Sequence, residues 1–468
     1  MMRHVKIVCT LGPATANADM IEALVAAGMD CARLNFSHGD FESHALLARH
    51  VRQAAIKQNK AVAVLADLTG PKLRIGRFRS GAIELRPGEK FTITTRAITG
   101  DEHSVSVNHG GFADDMKPGI AILLDDGLLR LRVLRIEDTD VVCEVEIGGE
   151  LSDNKGMNVP GTQLSIPSLT DKDKSDLAFA VDTLKADYLA LSFVRTAEDV
   201  SITQALAKET PVIAKIEKPE ALENLDAIAD TADGVMIARG DLGVEVGPEK
   251  VPVIQKHVIS QVNKRNKVVI TATQMLDSMM RNSRPTRAEA ADVANAVLDG
   301  SDALMLSGET ASGRYPLESV RMMDAIIQDV ENATFAQPHG HTSGTGRIGE
   351  LSFPNAAAGA AALLSSTLPI KAFVTFTRDG RTAGLLSSYR RAAPIVAITA
   401  KEAVANRLAI NWGVLPFMEL PPTDMSEVIR VASALLVREK ICKKGDIFVL
   451  VLGWPPSAPT NTVKLHRL

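Results

Sequence analysis

The sequence has few aromatic residues and few cysteines. Only 4% of its 468 residues are aromatic, which suits α/β layers better than an all-β sandwich. Four cysteines are scattered along the chain, without a Cys-x-x-Cys pair or the His/Cys spacing of a metal site: Cys9, Cys31, Cys143 and Cys442. We therefore expect reduced cysteines and a cytoplasmic protein, because disulfides are rare in that compartment.

Long apolar runs and an excess of one charge are also lacking. No run is long enough to span a bilayer, and the first residues lack the apolar core and cleavage site of a signal peptide. The formal net charge is -4 and no Lys/Arg cluster is interleaved with aromatics, so the sequence predicts neither a membrane nor a nucleic-acid partner. A Gly-x-x-x-x-Gly-Lys-Ser/Thr loop is absent too, so a nucleotide would have to be held in another way.

The order of apolar segments predicts a barrel with two further domains. In residues 1–69 and 167–340, apolar strands alternate with amphipathic helices and supply eight β/α units, which favours a closed parallel (β/α)8 barrel, the TIM-barrel fold. Residues 70–166 are turn-rich alternating segments without a convincing helix, which predicts a small β-barrel domain inserted after the third strand as a lid. A linker at Gln337–Gly346 precedes residues 347–468, which predict an open α/β domain.

The predicted strand Val212–Ile216 carries the first candidate site. Lys215 and Glu217 are two residues apart, so on a strand they point to the same face. A cation and an anion at the carboxyl end of a strand can hold an anionic substrate and a metal side by side. The alternative is a plain salt bridge at a strand end.

Polar side chains also follow the other predicted strands, at the end where barrels of this type carry their chemistry. They include Arg33, Asn35, Ser37, Asp67, Arg74, Asp241 and Thr273. Each has a plain alternative: Arg33 or Arg74 alone would more often be a surface or salt-bridged arginine. Asp67 could cap a turn and Thr273 could be an ordinary strand threonine. Their joint position at one end of a barrel is what indicates a site.

The residue types at this end indicate phosphoryl transfer. Glu217 and Asp241, on neighbouring strands, would make a hard oxygen site suited to Mg²⁺ or Mn²⁺. Arg33, Arg74 and Lys215 would converge as cations on a polyanion, most simply a phosphorylated acid. A metal and cations around a phosphate catalyse transfer by positioning and by neutralising charge.

Several blocks of sequence, in the same order, resemble the pyruvate kinase family. They are Ala32–Gly39, Ile213–Lys218, Met236–Gly243, Thr271–Leu276, Arg284–Glu289 and Leu306–Ala311. The resemblance runs through nearly the whole chain. It implies transfer of the phosphoryl group of phosphoenolpyruvate to ADP, giving ATP and pyruvate, the last step of glycolysis.

The resemblance also implies a role for each motif residue. Arg33 and Lys215 would hold the transferring phosphoryl group, and Glu217 and Asp241 would bind Mg²⁺. The backbone of Ala238–Asp241, with Gly240 at its centre, would cradle the substrate carboxylate, and Thr273 would help to deliver the proton that turns the enolate into a ketone. The nucleotide side would be formed by Asn35, His38, Arg74 and Lys155.

One departure from the family concerns potassium. Many members bind K⁺ through residues that match Asn35, Ser37, Asp67 and the carbonyl of Leu68, and those members usually carry a glutamate where this chain has Lys72. We hypothesise that the Lys72 ammonium supplies the charge that K⁺ would bring, so that K⁺ is not required. The alternative is that Lys72 points to solvent.

A second departure concerns regulation. A loop before a predicted helix in the last domain resembles the family's sugar-phosphate effector loop, since helix N-terminal N–H groups favour phosphate. Its candidate effector residues are Thr377, Arg381 and Thr382. Asp379 would repel a phosphate, and Glu439 and Pro455 replace basic residues of members that respond to fructose bisphosphate. We therefore expect a sugar monophosphate or AMP as effector, or none, in a homotetramer.

Two other functions compete with this prediction. One is another metal-dependent barrel enzyme that binds phosphoenolpyruvate or pyruvate, such as an aldolase or lyase, which would not need the lid. The other is a non-catalytic relative that serves as a regulatory subunit. The presence of Lys215, Glu217, Asp241 and Thr273 together argues against the second, because a silent copy has no physical need for all of them.

Overall fold

The structure is a computed structural model. It describes residues 2–162, 164–336, 352–420, 422, 424–455 and 458–468. The predicted linker at Gln337–Gly346 lies outside the described residues.

The chain begins with alternating strands and helices, as the sequence predicts. These are β1 (Lys6–Thr10), α1 (Ala18–Ala27), β2 (Cys31–Asn35), α2 (Phe41–Lys57) and β3 (Ala63–Asp67). Side chains placed just before each helix start it: Asn17 accepts the backbone N–H of Met20, and Asp40 accepts that of Ser43. Such caps satisfy N–H groups that have no partner within the helix.

After β3 the chain forms a small β domain. Its elements are β4 (Ala82–Leu85), β5 (Lys90–Thr94), β6 (Ser104–Ser106), α3 (Phe112–Asp115), β7 (Ala121–Leu124), β8 (Leu129–Glu137), β9 (Asp140–Ile147), β10 (Gly149–Ser152) and β11 (Met157–Asn158). Six strands form one sheet in the order β11-β7-β8-β9-β5-β6, and β10 pairs with β4. Both sheets contribute to one buried apolar core. The short helix α3 departs from the prediction that no helix interrupts this segment.

The chain then returns to complete the barrel. The strands are β12 (Tyr188–Leu191), β13 (Val212–Ile216), β14 (Gly234–Ala238), β15 (Val268–Ala272) and β16 (Ala303–Leu306). The helices are α4 (Asp171–Asp182), α5 (Ala197–Ala207), α6 (Pro219–Glu223), α7 (Leu225–Thr231), α8 (Arg239–Val246), α9 (Val251–Asn263), α10 (Arg287–Leu298), α11 (Gly308–Ala311) and α12 (Pro316–Phe335). The sequence did not predict α8 and α11, which directly follow β14 and β16.

Eight parallel strands close the barrel in the order β1-β16-β15-β14-β13-β12-β3-β2, which confirms the predicted fold class. Closure joins the first strand to the last, with Lys6 opposite Ala303. Alternate residues face the interior and the surrounding helices: Val8 belongs to the inner core, and Ile7 and Cys9 to the outer one. Because both faces are buried, these strands are almost continuously apolar.

The last domain is an open sheet with helices on both faces. Its elements are α13 (Phe353–Thr367), β17 (Ile370–Phe376), α14 (Arg381–Ser388), β18 (Ile395–Thr399), α15 (Glu402–Leu408), β19 (Val414–Met418), α16 (Met425–Arg438), β20 (Ile447–Leu452) and β21 (Thr462–Arg467). The strand order is β19-β18-β17-β20-β21, and only β21 is antiparallel to its neighbour. The sequence did not predict β19, α16 or β21.

Two further expectations can be compared with the structure. All four cysteines are free and buried. Within the described ranges, no helix combines the length and the apolar character needed to cross a bilayer.

Candidate active site

Lys215, at the end of β13, is the centre of a buried cluster of charges. Its ammonium lies 2.9 Å from a carboxylate oxygen of Glu217 and 3.2 Å from one of Asp67, and it donates a hydrogen bond to the Ser192 hydroxyl at 2.7 Å. The side chains of Asp67 and Glu217 are each 1% exposed. The structure thus brings together residues from the ends of β3, β12 and β13.

Burial and neighbouring charges shift the pKa of both Lys215 and Glu217. Burial alone lowers the pKa of Lys215, but the negative charges of Asp67 and Glu217 outweigh it and raise that pKa, so the ammonium stays protonated. Burial raises the pKa of Glu217 more than the nearby charge of Lys215 lowers it, and the charge of Asp241 raises it further. A cation that binds beside such a buried carboxylate would stabilise its ionised form and so lower its pKa.

Arg33 lies beside Lys215 because both contact Asp67. The Arg33 Nε is 2.6 Å from the second carboxylate oxygen of Asp67, and its Nη1 donates to the hydroxyl of Thr10 at 3.0 Å. Burial raises the pKa of Asp67, but Lys215 and Arg33 outweigh this effect and lower it. Asp67 is therefore an ionised anchor that orients two cations toward the same space.

Asp241 lies in the first turn of α8, next to the end of β13. The strand β14 that precedes it pairs with β13, with Met236 opposite Lys215. The Asp241 side chain is 29% exposed, and one of its carboxylate oxygens lies 3.4 Å from the Lys72 ammonium. In the part of the chain that the structure describes, no group of three or more His, Cys, Asp or Glu residues forms a complete metal site. Glu217 and Asp241 could hold a divalent cation only with further ligands from substrate or water.

Thr273, just after β15, holds its hydroxyl between two backbone groups. The hydroxyl accepts the N–H of Gly240 at 2.7 Å and donates to the carbonyl of Ala272 at 2.7 Å. Thr273 and Gln274 have φ values of 69° and 54°, in the left-handed region that costs a non-glycine residue about 1–3 kcal/mol. Arg239 donates to the Thr273 carbonyl at 2.7 Å and so holds this turn in place.

Comparison with known protein families agrees with this geometry. A family model described as "Pyruvate kinase, barrel domain" matches residues 2–320, and one described as "Pyruvate kinase, alpha/beta domain" matches residues 355–466. The chain belongs to the pyruvate kinase family.

Relatives named pyruvate kinase match along the whole chain. One from Mycobacterium tuberculosis is 47% identical over 475 residues, covering 100% of this chain and 99% of the relative. Another from Corynebacterium glutamicum is 45% identical, covering 100% of this chain and 97% of the relative. A crystal structure of a pyruvate kinase from Cryptosporidium parvum superposes with a TM-score of 0.93 at 37% identity, covering 99% of this chain and 96% of the other. The lyase and non-catalytic alternatives are not favoured.

The residues predicted from the pyruvate kinase family for K⁺ lie next to the charge cluster. Asn35 is opposite Asp67 in the β2–β3 register, and the carbonyl of Leu68 accepts the Ser192 hydroxyl at 2.7 Å. The Asn35 side-chain oxygen accepts the backbone N–H of Ser37 at 3.1 Å. Their role in binding K⁺ stays a prediction.

Of the residues predicted to bind the nucleotide, some lie on the lid and others on the barrel. Arg74 and Lys155 lie on neighbouring lid segments: an Arg74 Nη1 donates to the carbonyl of Asn154 at 3.1 Å, and the Lys155 ammonium lies 2.7 Å from Asp125. His38 is exposed at the barrel rim. The structure thus places two cations on the lid.

In the predicted effector loop, the Asp379 side chain contacts the start of α14. The Asp379 carboxylate accepts the backbone N–H of Arg381 at 3.1 Å and lies 3.4 Å from its guanidinium, whose side chain is 87% exposed. The hydroxyl of Thr377 accepts the N–H of Gly380, and that of Thr382 is 2.6 Å from Thr460. That Asp379 opposes phosphate binding stays a prediction.

Two residues in contact with the site had no role predicted for them. Ser192, which binds Lys215, follows β12, and Thr10, which binds Arg33, ends β1. Both lie at the carboxyl end of a barrel strand, as the predicted residues do. That position in the sequence could have indicated that they contact the site.

Proposed function

We propose that this enzyme transfers the phosphoryl group of phosphoenolpyruvate to ADP in the presence of Mg²⁺ or Mn²⁺, giving pyruvate and ATP. The family and its phosphotransferase activity follow from the comparisons above. The observation that carries the residue assignment is the buried cluster in which Asp67 orients Arg33 and Lys215 beside Glu217.

Arg33 and Lys215 would bind the transferring phosphoryl group. Asp67 contacts both side chains and holds them in position before substrate arrives. Cations that are already oriented stabilise charge in the transition state without reorganisation, which is the main source of catalysis in phosphoryl transfer. The lid cations Arg74 and Lys155, with Asn35 and His38 of the barrel, would bind ADP, and the lid would exclude water.

Glu217 and Asp241 would hold the divalent cation. The raised pKa of the buried Glu217 carboxylate supports this assignment, because a divalent cation between Glu217 and Asp241 would offset the burial and the repulsion from Asp241 that raise it. A bound Mg²⁺ or Mn²⁺ neutralises phosphate charge and fixes the substrate oxygens around it.

The other end of the substrate would lie against the start of α8. Backbone N–H groups at a helix start favour an anion, so the segment around Gly240 and Asp241 suits the carboxylate of phosphoenolpyruvate. The Thr273 hydroxyl, already in a hydrogen-bonded chain, would help to deliver a proton to the enolate carbon after transfer. The proton delivered to the enolate carbon would be carried on the Thr273 Oγ1.

A coupled assay of pyruvate formation tests the proposal. Activity should require phosphoenolpyruvate, ADP and a divalent cation together. Lys215→Met should lower kcat by about 10²–10³-fold, as expected for loss of one transition-state donor. Lys208→Met, at an exposed lysine paired with Asp182, should leave kcat unchanged. Full activity in Lys215→Met would remove the assigned role of this lysine.

Three further properties belong to this proposal. K⁺ is not required, because Lys72 brings a positive charge to the site. A sugar monophosphate or AMP binds the loop with Thr377, Arg381 and Thr382, or no effector does. The enzyme is a cytoplasmic homotetramer.

A further inference from the structure

Glu245 is a buried carboxylate that the proposed reaction does not use. It lies on α8, one turn after Asp241, and its side chain is 1% exposed. A single carboxylate oxygen accepts from the Lys218 ammonium at 2.5 Å and from the side-chain amide of Asn158 at 2.7 Å. A buried charge is costly unless it is paired and hydrogen-bonded, so these contacts define where Glu245 can lie.

The partners of Glu245 belong to different parts of the molecule. Lys218 directly follows the proposed metal ligand Glu217, whereas Glu245 shares a helix with Asp241, the other proposed ligand. Asn158 is the last residue of β11, in the inserted domain. One carboxylate therefore connects the two metal-binding residues to each other and to the lid.

Lys218 extends this connection to the loop after β12. Its ammonium lies over the ring of Phe193, 5.9 Å from the centroid. The backbone N–H of Phe193 donates to a Glu217 carboxylate oxygen at 2.8 Å. Lys218 thus contacts both the loop that orients Glu217 and the helix that carries Asp241.

The contact between Asn158 and Glu245 differs from a second contact between the barrel and the lid. Arg195, in the loop after β12, donates to the carbonyls of Leu164 and Ile166 at 3.0 and 2.9 Å. Those carbonyls lie on the segment that returns to the barrel, so Arg195 contacts the connection between the two domains. Asn158 lies in the sheet of the lid, so its contact joins the body of that domain to the barrel.

We propose that Glu245 is a positioning residue that keeps Glu217 and Asp241 in register through Lys218 and couples them to the lid through Asn158. The proposal rests on the function proposed above. Loss of the ion pair with Lys218 should weaken divalent-metal binding. Loss of the Asn158 contact alone should impair turnover with ADP while the metal site stays intact.

The test measures metal binding apart from catalysis. Mn²⁺ is titrated into wild type, Glu245→Gln and Asn158→Ala in the presence of phosphoenolpyruvate, and free Mn²⁺ is followed by electron paramagnetic resonance. For Glu245→Gln we expect the Kd for Mn²⁺ to rise about tenfold or more, as is typical when a partner of a metal ligand is lost. Asn158→Ala should keep the wild-type Kd and show a lower kcat and a higher KM for ADP.

Glu249→Gln is the matched control, because Glu249 is an exposed carboxylate a few residues further along the same segment. It should match wild type in both measurements. If Glu245→Gln does not fold, as judged from its thermal midpoint, Lys218→Met breaks the same ion pair and should give the same rise in Kd.

An unchanged Kd for Mn²⁺ in a folded Glu245→Gln or Lys218→Met protein would overturn the proposal, and so would an Asn158→Ala protein with wild-type kinetics. These outcomes can be distinguished from an outcome that contradicts the proposed function. A wild-type protein that makes no pyruvate, but whose Mn²⁺ affinity depends on Glu245, would overturn the function alone.

Discussion

The ammonium nitrogen of Lys72 lies 3.4 Å from a carboxylate oxygen of Asp241. Lys72 belongs to the segment that leads into the lid, and Asp241 belongs to the barrel, so the contact spans the cleft between them. The Lys72 side chain is 28% exposed and faces the site, unlike a lysine that points to solvent. A fixed positive charge therefore lies beside a proposed metal ligand.

This contact predicts that the enzyme does not need K⁺. The rate should persist in buffer with Na⁺ or tetramethylammonium as the only monovalent cation, because Lys72 supplies the charge. Lys72→Glu should reverse this behaviour and lose about tenfold or more of its rate without K⁺, the scale expected for one electrostatic contact at an active site. Steady-state rates in the three salts check it.

Lys90→Glu makes the same change of charge at an exposed lysine of the lid and should behave like wild type. A steep loss of wild-type activity in the absence of K⁺ would show that Lys72 does not take the place of the ion.

The hydroxyl of Thr273 predicts a second result. Thr273→Val keeps the β-branched shape, and therefore the same backbone strain at φ 69°, but removes the hydroxyl. We expect kcat to fall about 10²-fold, as for loss of a group that transfers a proton, and Thr273→Ser to keep most of the activity.

Proton exchange separates this role from a structural one. Wild type with ATP and Mg²⁺ should exchange the methyl protons of pyruvate with D₂O, measured by NMR, and Thr273→Val should lose that exchange. Unchanged exchange in a Thr273→Val protein with reduced kcat would assign the hydroxyl to orienting Gly240 instead.

The predicted effector loop leads to an expectation about the response to sugar phosphates. Since the Asp379 carboxylate already accepts an N–H at the start of α14, we expect fructose bisphosphate to leave activity unchanged at subsaturating phosphoenolpyruvate. If a hexose monophosphate or AMP activates the enzyme, Arg381→Ala should abolish that response without changing the basal rate. Titration of each compound against the rate checks it, and a large response to fructose bisphosphate would contradict the prediction.

The sequence was sufficient to predict the residues of the charge cluster, since each follows or ends a predicted strand and the carboxyl ends of parallel strands meet at one end of a barrel. Lys215, Glu217, Asp67 and Arg33 could be placed together for that reason. The ion pairs between them could not be predicted. Asp67 is the common partner of Arg33 and Lys215 because of side-chain positions across neighbouring strands, which the sequence does not show.

The features that the sequence did not predict depend on tertiary contacts. The helix α8 contains two glycines and spans only Arg239–Val246, too short for an apolar period to be visible. The strand β21 has mostly half-buried or exposed residues, so the apolar signal of a strand is weak there. The left-handed conformation of Thr273 is held by Arg239, which lies 34 residues earlier in the chain.

A last prediction concerns stability at the opposite end of the barrel. Asp30, just before β2, lies 2.6 Å from Arg3 and 2.9 Å from Lys60 and accepts the N–H of Ile7. Burial raises its pKa, but Arg3 and Lys60 outweigh this and lower it from 3.8 to about 2. By linkage, such a shift corresponds to about 2 kcal/mol of stability.

The sign of the shift sets the pH range. Because the pKa of Asp30 is lower in the folded state than in the unfolded state, its stabilisation is complete above about pH 5 and is lost as pH falls through 3.8 toward 2. Asp30→Asn should therefore lower the free energy of unfolding by about 2 kcal/mol or more at pH 7, and by progressively less below pH 4. Urea unfolding at several pH values measures it. Asp182→Asn, at an exposed aspartate, should show no such loss. A deficit in Asp30→Asn that is the same at pH 7 and pH 3 would mean that lost packing, and not the ionised carboxylate, accounts for it.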